Sequence, residues 1–421
     1  MATRRGRVVL AYSGGLDTSV CIRWLQEHYD MDVVTLTIDL GHEPDLPAIR
    51  DKALKTGARN AHVVDARDIF IDHFIWPALK AGAVYENAYY LATALGRPLI
   101  AKLLVDVARE EDAEAVAHGS TGKGNDQVRF DVSVHALAPE LQVIAPVREW
   151  GLTRDQEEAY AKEHGIPVPE GSRQPYSLDQ NLWGRSVESG PLEDPWVEPP
   201  EDAYEWTVAP EDAPDTPAYV EIVFEEGIPV AINGQEKNGV DLIQELNDLG
   251  GAHGVGRVDH VENRVVGIKS REIYECPAGT ILFKAHEALE QLTLASDQSH
   301  FKRVVAEEIS RLVYGGLWFS TLNRDLMAFV DSTQRSVSGT VRVKLYRGQA
   351  TVVGRQSPHS LYREDLATYL SGDAFDHRAA EGFVKIWGLS TQVQARQQLH
   401  GEDKPLLPQT KRLESSDAED K

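Results

Sequence analysis

Residues 11–19 read AYSGGLDTS and directly follow the apolar run RVVL. The two glycines allow the backbone to come close to phosphate oxygens, and the hydroxyl side chains beside them are hydrogen-bond donors. If a helix begins there, its positive N-terminus faces the same point and favours an anion. A turn that only caps a helix would use similar residues. The stretch alone therefore leaves a phosphate cradle and a capping turn both open.

A second loop, HGSTGKGNDQVRF at residues 118–130, carries the side chains that a ligand with both amine and carboxylate groups requires. Asp126 suits an ammonium group, Arg129 suits a carboxylate, and Thr121 and Asn125 are adaptable hydrogen-bonding partners. A flexible polar loop is the alternative interpretation. Neither loop matches the Walker A pattern G-x-x-x-x-G-K-[ST], which argues against the usual kinase and GTPase classes.

Two further segments, PYSLDQNLWGRS and VENRVVGIKSREIYECPAGT, add polar side chains in the second half of the chain. They contribute Ser177, Ser186, Glu262 and Tyr274. Each of these could be an ordinary surface residue, so the segments alone define no site. The sequence offers no convincing Ser-His or Cys-His set for a covalent nucleophile.

The first half alternates between short apolar runs and helical patterns, which predicts a doubly wound, mostly parallel α/β sheet. We expect strands at 7–12, 32–40, 61–66, 113–119 and 142–147. We expect helices at 17–28, 47–57, 67–80 and 98–110, and one from a capping box at Thr153 to near Gly165. In such sheets ligands bind beyond the carboxyl ends of the strands, and both glycine loops fall at such ends.

The second half is predicted to be α+β. The acidic, proline-rich segment 189–217 suits an extended connection. Hairpins are expected at 219–234 and 341–354, and helices at 239–249 and 297–314. Residues 380–399 carry apolar side chains that an inter-subunit arm would explain, and the polar tail from about 401 is expected to be disordered.

Composition limits the function further. Lys and Arg total 43 against 66 for Asp and Glu, a formal net charge of −23, which argues against a nucleic-acid partner. Two cysteines allow neither a disulfide framework nor a metal cluster, and Cys21 is expected to be a small core residue. The longest apolar runs are too short for a membrane span, so we expect no membrane association and a cytoplasmic location.

The segments AYSGGLDTS, HGSTGKGNDQVRF, PYSLDQNL, HGVGRVDHVENR and GIKSREIYECPAGT stand in the order found in argininosuccinate synthases, and FIWPALKAGAVYENAYYLATALGRP is also similar to that family. The resemblance covers about residues 7 to 390. It implies ATP-dependent joining of citrulline and aspartate through a citrullyl-adenylate, with release of AMP and pyrophosphate, in arginine biosynthesis or the urea cycle. It also implies a homotetramer whose C-terminal helix embraces neighbouring subunits.

The resemblance assigns residues to three subsites. ATP would be bound by Ala11, Tyr12, Ser13, Gly14, Gly15, Leu16, Asp17, Thr18, Ser19, Ile38 and Gly119. Citrulline would be bound by Tyr89, Thr93, Asn125, Arg129, Ser177, Ser186, Glu262 and Tyr274. Aspartate would be bound by Thr121, Asn125 and Asp126. Asp126 and Asp17 are the expected catalytic residues, Asp17 either serving Mg²⁺ or capping the helix.

The resemblance also implies a domain plan: a nucleotide-binding domain at 1–170, a synthetase domain at 171–365, an oligomerisation arm at 366–400 and a tail at 401–421. One position departs from the family. Ala94 stands where a Ser is frequent, so either Thr93 alone supplies the hydroxyl or one contact is missing.

The alternative function is another adenylating enzyme of this loop class, a tRNA thiolase or an amidotransferase synthetase. These would favour a basic surface, paired cysteines or an N-terminal Cys, and the acidic chain with Met1-Ala2 and two distant cysteines favours none of them.

Overall fold

A computed structural model describes residues 6–41, 45–167 and 175–399. The chain divides into two compact units, one ending at Leu361 and one beginning at Tyr362.

The first sheet of the larger unit is parallel throughout, as the sequence predicts. Its strands are β1 (Arg7–Ala11), β2 (Asp32–Asp39), β3 (Asn60–Asp65), β4 (Ala115–Ala117) and β5 (Gln142–Ile144). They lie in the order β3-β2-β1-β4-β5. The strand order therefore reverses at β1: β2 and β3 extend to one side of it, and β4 and β5 extend to the other. Val8, Val9 and Leu10 of the central strand are fully buried, because helices cover both faces.

The described residues of the first half form eight α-helices. They are α1 (Leu16–Tyr29), α2 (Leu46–Thr56), α3 (Arg67–Phe70), α4 (Trp76–Ala81), α5 (Ala92–Glu110), α6 (Asp126–Leu137), α7 (Pro146–Trp150) and α8 (Arg154–Glu163). A π-helical turn, Ile71–Ile75, joins α3 to α4, so the helix predicted at 67–80 is continuous but irregular. Cys21 is fully buried in α1, as expected of a small core residue.

Three boundaries show where local rules succeed and fail. The capping box is confirmed: Thr153 Oγ1 accepts from Gln156 N at 3.4 Å, and Gln156 Oε1 accepts from Thr153 N at 2.9 Å. The strand predicted to reach residue 147 ends at Ile144, because Pro146 begins a helix. The helix predicted from Pro98 begins six residues earlier, at Ala92.

The second half of this unit contains two antiparallel sheets. One comprises β6 (Ser177–Asn181), β7 (Gly184–Glu188), β11 (Arg257–Asn263) and β12 (Lys269–Glu275), in the order β11-β12-β7-β6. The other comprises β8 (Ala218–Glu225), β9 (Ile228–Ile232), β10 (Gln235–Glu236), β13 (Gly339–Tyr346) and β14 (Gln349–Gln356), in the order β10-β9-β8-β13-β14. Both predicted hairpins belong to the second of these sheets and are confirmed.

Four helices accompany these sheets: α9 (Gly239–Ala252), α10 (Pro277–Thr293), α11 (Ser296–Tyr314) and α12 (Thr321–Gln334). The first and third match the predicted helices. The largest apolar core runs from the first half of the chain into the second, with Leu79, Trp183 and Ile281 all fully buried within it.

The acidic connection after β7 contains two short 3₁₀ turns, Gly190–Glu193 and Glu201–Ala203. The fully buried carboxylate of Glu275 holds it in place. This carboxylate accepts from the backbone N–H groups of Glu205, Trp206 and Thr207 at 2.9–3.2 Å, and from Arg185 Nη1 at 2.8 Å. A buried charge satisfied in this way fixes the path of a segment that has little apolar surface of its own.

The smaller unit contains α13 (Glu364–Ala367), α14 (His377–Trp387) and α15 (Leu389–Gln394), followed by a π-helical turn, Ala395–Leu399. No residue of α14 is buried. Its exposed side chains include Phe383, Ile386 and Trp387. The expected disordered tail at 401–421 lies outside the described residues, as does the predicted boundary at 170. None of the helices among the described residues has both the length and the apolar character of a membrane-spanning segment.

Replacing Glu275 with Ala is expected to lower the free energy of unfolding by about 3–5 kcal/mol, the usual cost of breaking a buried ion pair by removing one partner. The buried Arg185 would lose its carboxylate partner, and three backbone N–H groups would lose their acceptor, that of Thr207 while staying buried. Urea unfolding followed by fluorescence measures the change. The exposed Glu236 provides the matched Glu→Ala control, and equal stability of the two variants would contradict the anchoring role.

Candidate active site

The connection between β1 and α1 is a tight turn that depends on Gly14. Its φ is +78°, a region that side chains disfavour, and an added Cβ would lie 3.2 Å from Ile49. The Gly14 carbonyl accepts from Lys52 Nζ at 2.6 Å. Burial lowers the pKa of Lys52. The turn is therefore both conformationally restricted and attached to α2.

The hydroxyl side chains of this loop divide between the surface and the interior. Ser13 is exposed, and its Oγ lies 3.2 Å from Thr18 Oγ1. Ser19 is fully buried, donates to the Gly15 carbonyl at 2.6 Å and lies 3.0 Å from the Tyr12 hydroxyl. Ser13 and Thr18 are thus available at the helix N-terminus, whereas Ser19 and Tyr12 support the loop from within.

Other residues predicted to contact ATP differ in what they can offer. Leu16 is buried in an apolar cluster, and Ile38 packs against two apolar cores. These two residues would therefore contact a nucleotide through their backbone atoms. Ala11 is the last residue of β1. Gly15 occupies the N-cap position of α1, so Asp17 is not the capping residue. The carboxylate of Asp17 lies in the first turn, where it complements the helix dipole.

The second glycine loop meets the first at the point where the strand order reverses. An added Cβ on Gly119 would lie 3.1 Å from Thr18 Cγ2, so the two loops touch. His118 Nε2 lies 2.8 Å from Asp131 Oδ1, and His118 Nδ1 accepts from Ser120 N at 3.2 Å. This imidazole therefore fixes the path of the backbone as it leaves β4.

The tip of the second loop is open. Thr121 and Lys123 are exposed. The Lys123 carbonyl accepts from Arg264 Nη1 at 3.4 Å, which links the tip to the turn between β11 and β12. Thr121 is consequently accessible to a ligand at the edge of the parallel sheet.

Asp126, the first residue of α6, lies between two arginines. Its Oδ2 accepts from Arg97 Nε at 2.9 Å, and its Oδ1 accepts from Arg129 Nη1 at 3.0 Å. Burial opposes ionisation of Asp126, but the two guanidinium groups outweigh it and lower its pKa. Arg97 also pairs with Asp179, whose pKa is raised by burial against the pull of that arginine. The surroundings thus favour the ionised form of Asp126 over that of Asp179.

A buried carboxylate, Glu262, lies at the centre of the remaining predicted residues. Its two oxygens accept from the phenol groups of Tyr274 and Tyr314, each at 2.6 Å. Asn125 Nδ2 donates to the Tyr314 hydroxyl at 2.8 Å. The guanidinium carbon of Arg129 lies 4.9 Å from the centre of the Tyr314 ring. The carboxylate and the guanidinium could bind the ammonium and carboxylate groups of an amino acid.

Tyr89 lies beside this cluster and caps α5. Its ring stacks on Tyr274 at 4.2 Å with an angle of 13°. Its hydroxyl accepts from Thr93 N at 2.9 Å and from Ala94 N at 3.2 Å. The Thr93 side chain hydrogen-bonds to Asp179. The backbone of Ala94 therefore takes part in this cap, and the Thr93 hydroxyl is bound to Asp179.

The two predicted serines lie at different positions on the four-stranded sheet. Ser186 pairs opposite Tyr274, and its Oγ donates to the Asp179 carbonyl at 3.3 Å. Ser177 begins β6, is exposed and lies 3.3 Å from Ser189 Oγ. The structure thus places Ser186 next to the buried cluster and Ser177 at the accessible end of the same hairpin.

Four residues of this region were not identified from the sequence: Lys52, Arg97, Asp179 and Tyr314. Lys52 and Tyr314 occupy helical segments where they resemble surface and core residues. Arg97 and Asp179 lie within LATALGRP and PYSLDQNL, two stretches of the family resemblance. The charge of each residue was visible in the sequence, but only the structure shows that Arg97 and Asp179 form an ion pair.

Comparisons with known proteins give matches over most of the chain. The family model described as "Arginosuccinate synthase N-terminal HUP domain" matches residues 7–167, and "Arginosuccinate synthase C-terminal domain" matches residues 176–394. A protein from Dehalococcoides mccartyi named argininosuccinate synthase is 57% identical over 392 residues, covering 93% of this chain and 97% of its own length. One of the same name from Symbiobacterium thermophilum is 59% identical over 390 residues, covering 92% and 97%.

One of the solved structures that match is the U34-tRNA thiolase NcsA from Methanococcus maripaludis with its [4Fe-4S] cluster. Its sequence is 19% identical, and the match covers 42% of this chain and 61% of that chain with a TM-score of 0.26. A TM-score this low does not show a common fold.

The parallel sheet, its two touching glycine loops and the matched domain define an α/β protein of the HUP class. The matches to both family models extend over most of the described residues. The chain belongs to the argininosuccinate synthase family.

Replacing Gly14 with Ala is expected to weaken ATP binding about tenfold, because a left-handed residue with a side chain costs roughly 1–2 kcal/mol and the turn would shift to relieve it. Isothermal titration with ATP measures the change. Gly151 is the matched control: its φ is +61°, and an added Cβ would have nothing within 4 Å. Both variants lose stability, so equal loss of ATP affinity in both would contradict a specific role for Gly14.

Proposed function

We propose that this protein joins L-citrulline to L-aspartate to form argininosuccinate in arginine biosynthesis, with ATP converted to AMP and pyrophosphate. The observation that carries the proposal is the cluster built around Glu262, Arg129 and Asp126 next to the touching glycine loops. It combines groups for two amino acids with a helix N-terminus suited to phosphate. Membership of the family supports the same conclusion.

ATP occupies the edge of the parallel sheet in this proposal. The loop from Ala11 to Ser19 binds its pyrophosphate part with the helix N-terminus and the accessible hydroxyls of Ser13 and Thr18. Gly119 and the backbone of Ile38 contact the rest of the nucleotide. Because side chains are small or point away at these positions, the nucleotide can lie directly on the backbone.

Mg²⁺ fits this loop as a companion of the nucleotide. Among the described residues no group of three or more His, Cys, Asp or Glu side chains could hold a metal by itself. Magnesium commonly needs only one or two carboxylates when phosphates complete its shell. Asp17, in the first turn of α1, is the carboxylate we assign to it. The bound ion would neutralise charge on the departing pyrophosphate.

Citrulline lies against the buried cluster. Arg129 binds its carboxylate and Glu262 binds its ammonium group. Tyr89, Thr93, Asn125, Ser177, Ser186 and Tyr274 complete the subsite. Aspartate is held by Thr121, Asn125 and Asp126, whose ionised carboxylate attracts the amino group of the substrate. Asn125 serves both amino acids.

The reaction follows from this placement. The ureido oxygen of citrulline attacks the α-phosphorus of ATP, and pyrophosphate leaves from the glycine loop. The resulting citrullyl-adenylate makes the ureido carbon electrophilic, so the aspartate amino group can displace AMP. The protein contributes alignment and electrostatic stabilisation. No protein nucleophile is needed.

The tRNA thiolase alternative has little support from the described residues. Cys21 and Cys276 are both buried, and burial raises the pKa of each thiol. A buried, protonated thiol is a poor nucleophile. The strongly acidic composition also disfavours a tRNA partner.

The domain plan and assembly are proposals of the same kind. We assign 1–170 to nucleotide binding, 171–365 to the synthetase function and 366–400 to an arm that holds a cytoplasmic homotetramer. The exposed apolar side chains of α14 support the arm.

The direct test incubates the purified protein with ATP, Mg²⁺, citrulline and aspartate. We expect pyrophosphate release that depends on citrulline and argininosuccinate formation that depends on both amino acids. Coupled pyrophosphate detection and mass spectrometry measure these products. Pyrophosphate release that does not depend on citrulline would contradict the proposed function.

Replacing Asp126 with Ala is expected to raise the KM for aspartate at least about tenfold, the effect of losing one charge-assisted hydrogen bond. The dissociation constant for ATP should change less than about twofold because Asp126 does not contact the nucleotide in this proposal. Asp106, which pairs with Lys102 on the surface of α5, provides the Asp→Ala control. A loss of ATP affinity with normal aspartate dependence would show that the role is wrong.

Deletion from Ala380 onward is expected to reduce the size of the assembly in solution, because it removes Phe383, Ile386 and Trp387. Light scattering coupled to size-exclusion chromatography measures the mass. Deletion from residue 401 onward is the control and should leave the assembly intact. An unchanged mass after the longer deletion would refute the arm.

A further inference from the structure

We infer that Tyr314 is a positioning residue that links the citrulline subsite to the aspartate subsite. The inference rests on the proposed function, which supplies the two subsites. Tyr314 is the last residue of α11, outside every segment that carried the resemblance. It is almost fully buried.

Three site residues converge on Tyr314. Its hydroxyl lies 2.6 Å from Glu262 Oε1 and 2.8 Å from Asn125 Nδ2. Its carbonyl accepts from Arg129 Nε at 3.0 Å, and its ring faces the guanidinium of the same arginine at 4.9 Å. One side chain and its backbone therefore hold the group assigned to the citrulline ammonium, the group assigned to its carboxylate and the amide assigned to both amino acids.

The direction of each hydrogen bond along this chain is determined. Val265 N can only donate, so it selects Asn125 Oδ1, at 2.9 Å. The Asn125 amide nitrogen must then donate to the phenol oxygen of Tyr314, and the phenol proton must go to the Glu262 carboxylate. Loss of the phenol hydroxyl therefore removes the acceptor of Asn125 and one donor to Glu262 together.

Backbone geometry allows Tyr314 this close approach. Gly316, two residues later, has a φ of +77°, and an added Cβ would lie 2.8 Å from Arg129 Cα. A glycine lets the end of α11 lie directly against α6. The Tyr314 ring is further restrained by stacking on Tyr85 at 3.6 Å with an angle of 6°. The position of the phenol is thus set by packing that is independent of its hydroxyl.

Tyr274 provides a matched comparison because it binds the other oxygen of the same carboxylate, also at 2.6 Å. Among the described residues the Tyr274 hydroxyl hydrogen-bonds to Glu262 and not to Asn125, whereas the Tyr314 hydroxyl binds both. Loss of either hydroxyl removes one donor from Glu262. Only loss of the Tyr314 hydroxyl also removes the acceptor of Asn125.

The experiment compares Tyr314→Phe with Tyr274→Phe, and with Tyr219→Phe as an exposed control. The readouts are the KM values for citrulline, aspartate and ATP. We expect Tyr314→Phe to raise the citrulline and aspartate KM values at least about fivefold each, with the ATP value within about twofold. The substitution removes one hydrogen bond to the Glu262 carboxylate at the citrulline subsite and one hydrogen bond from the Asn125 amide at the aspartate subsite. Tyr274→Phe should raise the citrulline value alone.

A lower kcat or melting temperature for Tyr314→Phe with unchanged KM values would show a merely structural role and overturn the inference. A rise in the citrulline KM alone would overturn the link. A wild-type protein without citrulline- and aspartate-dependent turnover would instead overturn the proposed function, and this inference with it.

A double-mutant cycle with Asn125→Ala gives an independent readout. If the aspartate effect of Tyr314 acts through Asn125, Tyr314→Phe should not raise the aspartate KM further in the Asn125→Ala background. Additive effects of the two substitutions would overturn the link.

Discussion

The parallel pairing of β1 with β4 is the constraint on which the site depends. Because β2 and β3 extend to one side of β1 and β4 and β5 extend to the other, the connections leave in opposite directions and a crevice opens at the carboxyl ends. Both glycine loops then meet there, at the contact between Gly119 and Thr18. Cys21 and other buried residues of α1 fix that helix, and with it the N-terminus that faces the crevice.

Electrostatics within the crevice differ from those of the whole chain. The chain as a whole has a formal net charge of −23. Within the site, Arg97 and Arg129 both form ion pairs with the carboxylate of Asp126. Such pairing keeps Asp126 ionised despite burial. The local arrangement, rather than the overall charge, therefore decides which groups can receive an ammonium and which a carboxylate.

Much of the fold could be predicted from the sequence, and the reasons for success and failure are local. Val8 to Leu10 form a continuous apolar run, and Thr153 with Gln156 forms a capping box, so both elements were identifiable. The start of α5 was not, because its cap is the phenol of Tyr89 rather than a neighbouring polar residue. The four-stranded sheet was missed because its strands are rich in polar residues that line the site. Tyr314 was missed because a tyrosine at the end of an amphipathic helix has the pattern of a core residue.

The acidic segment after β7 has the composition of an extended connection, but arginines of the four-stranded sheet bind it between Asp194 and Ala203. Arg271 donates to the carbonyls of Asp194 and Val197, and Arg185 donates to that of Ala203. A protease requires several residues of mobile chain, and these contacts hold the backbone in place. Proteolytic cleavage at these residues would thus require the sheet to open. The rate of degradation would then depend on how often the protein unfolds and not on the exposure of this segment in the folded state.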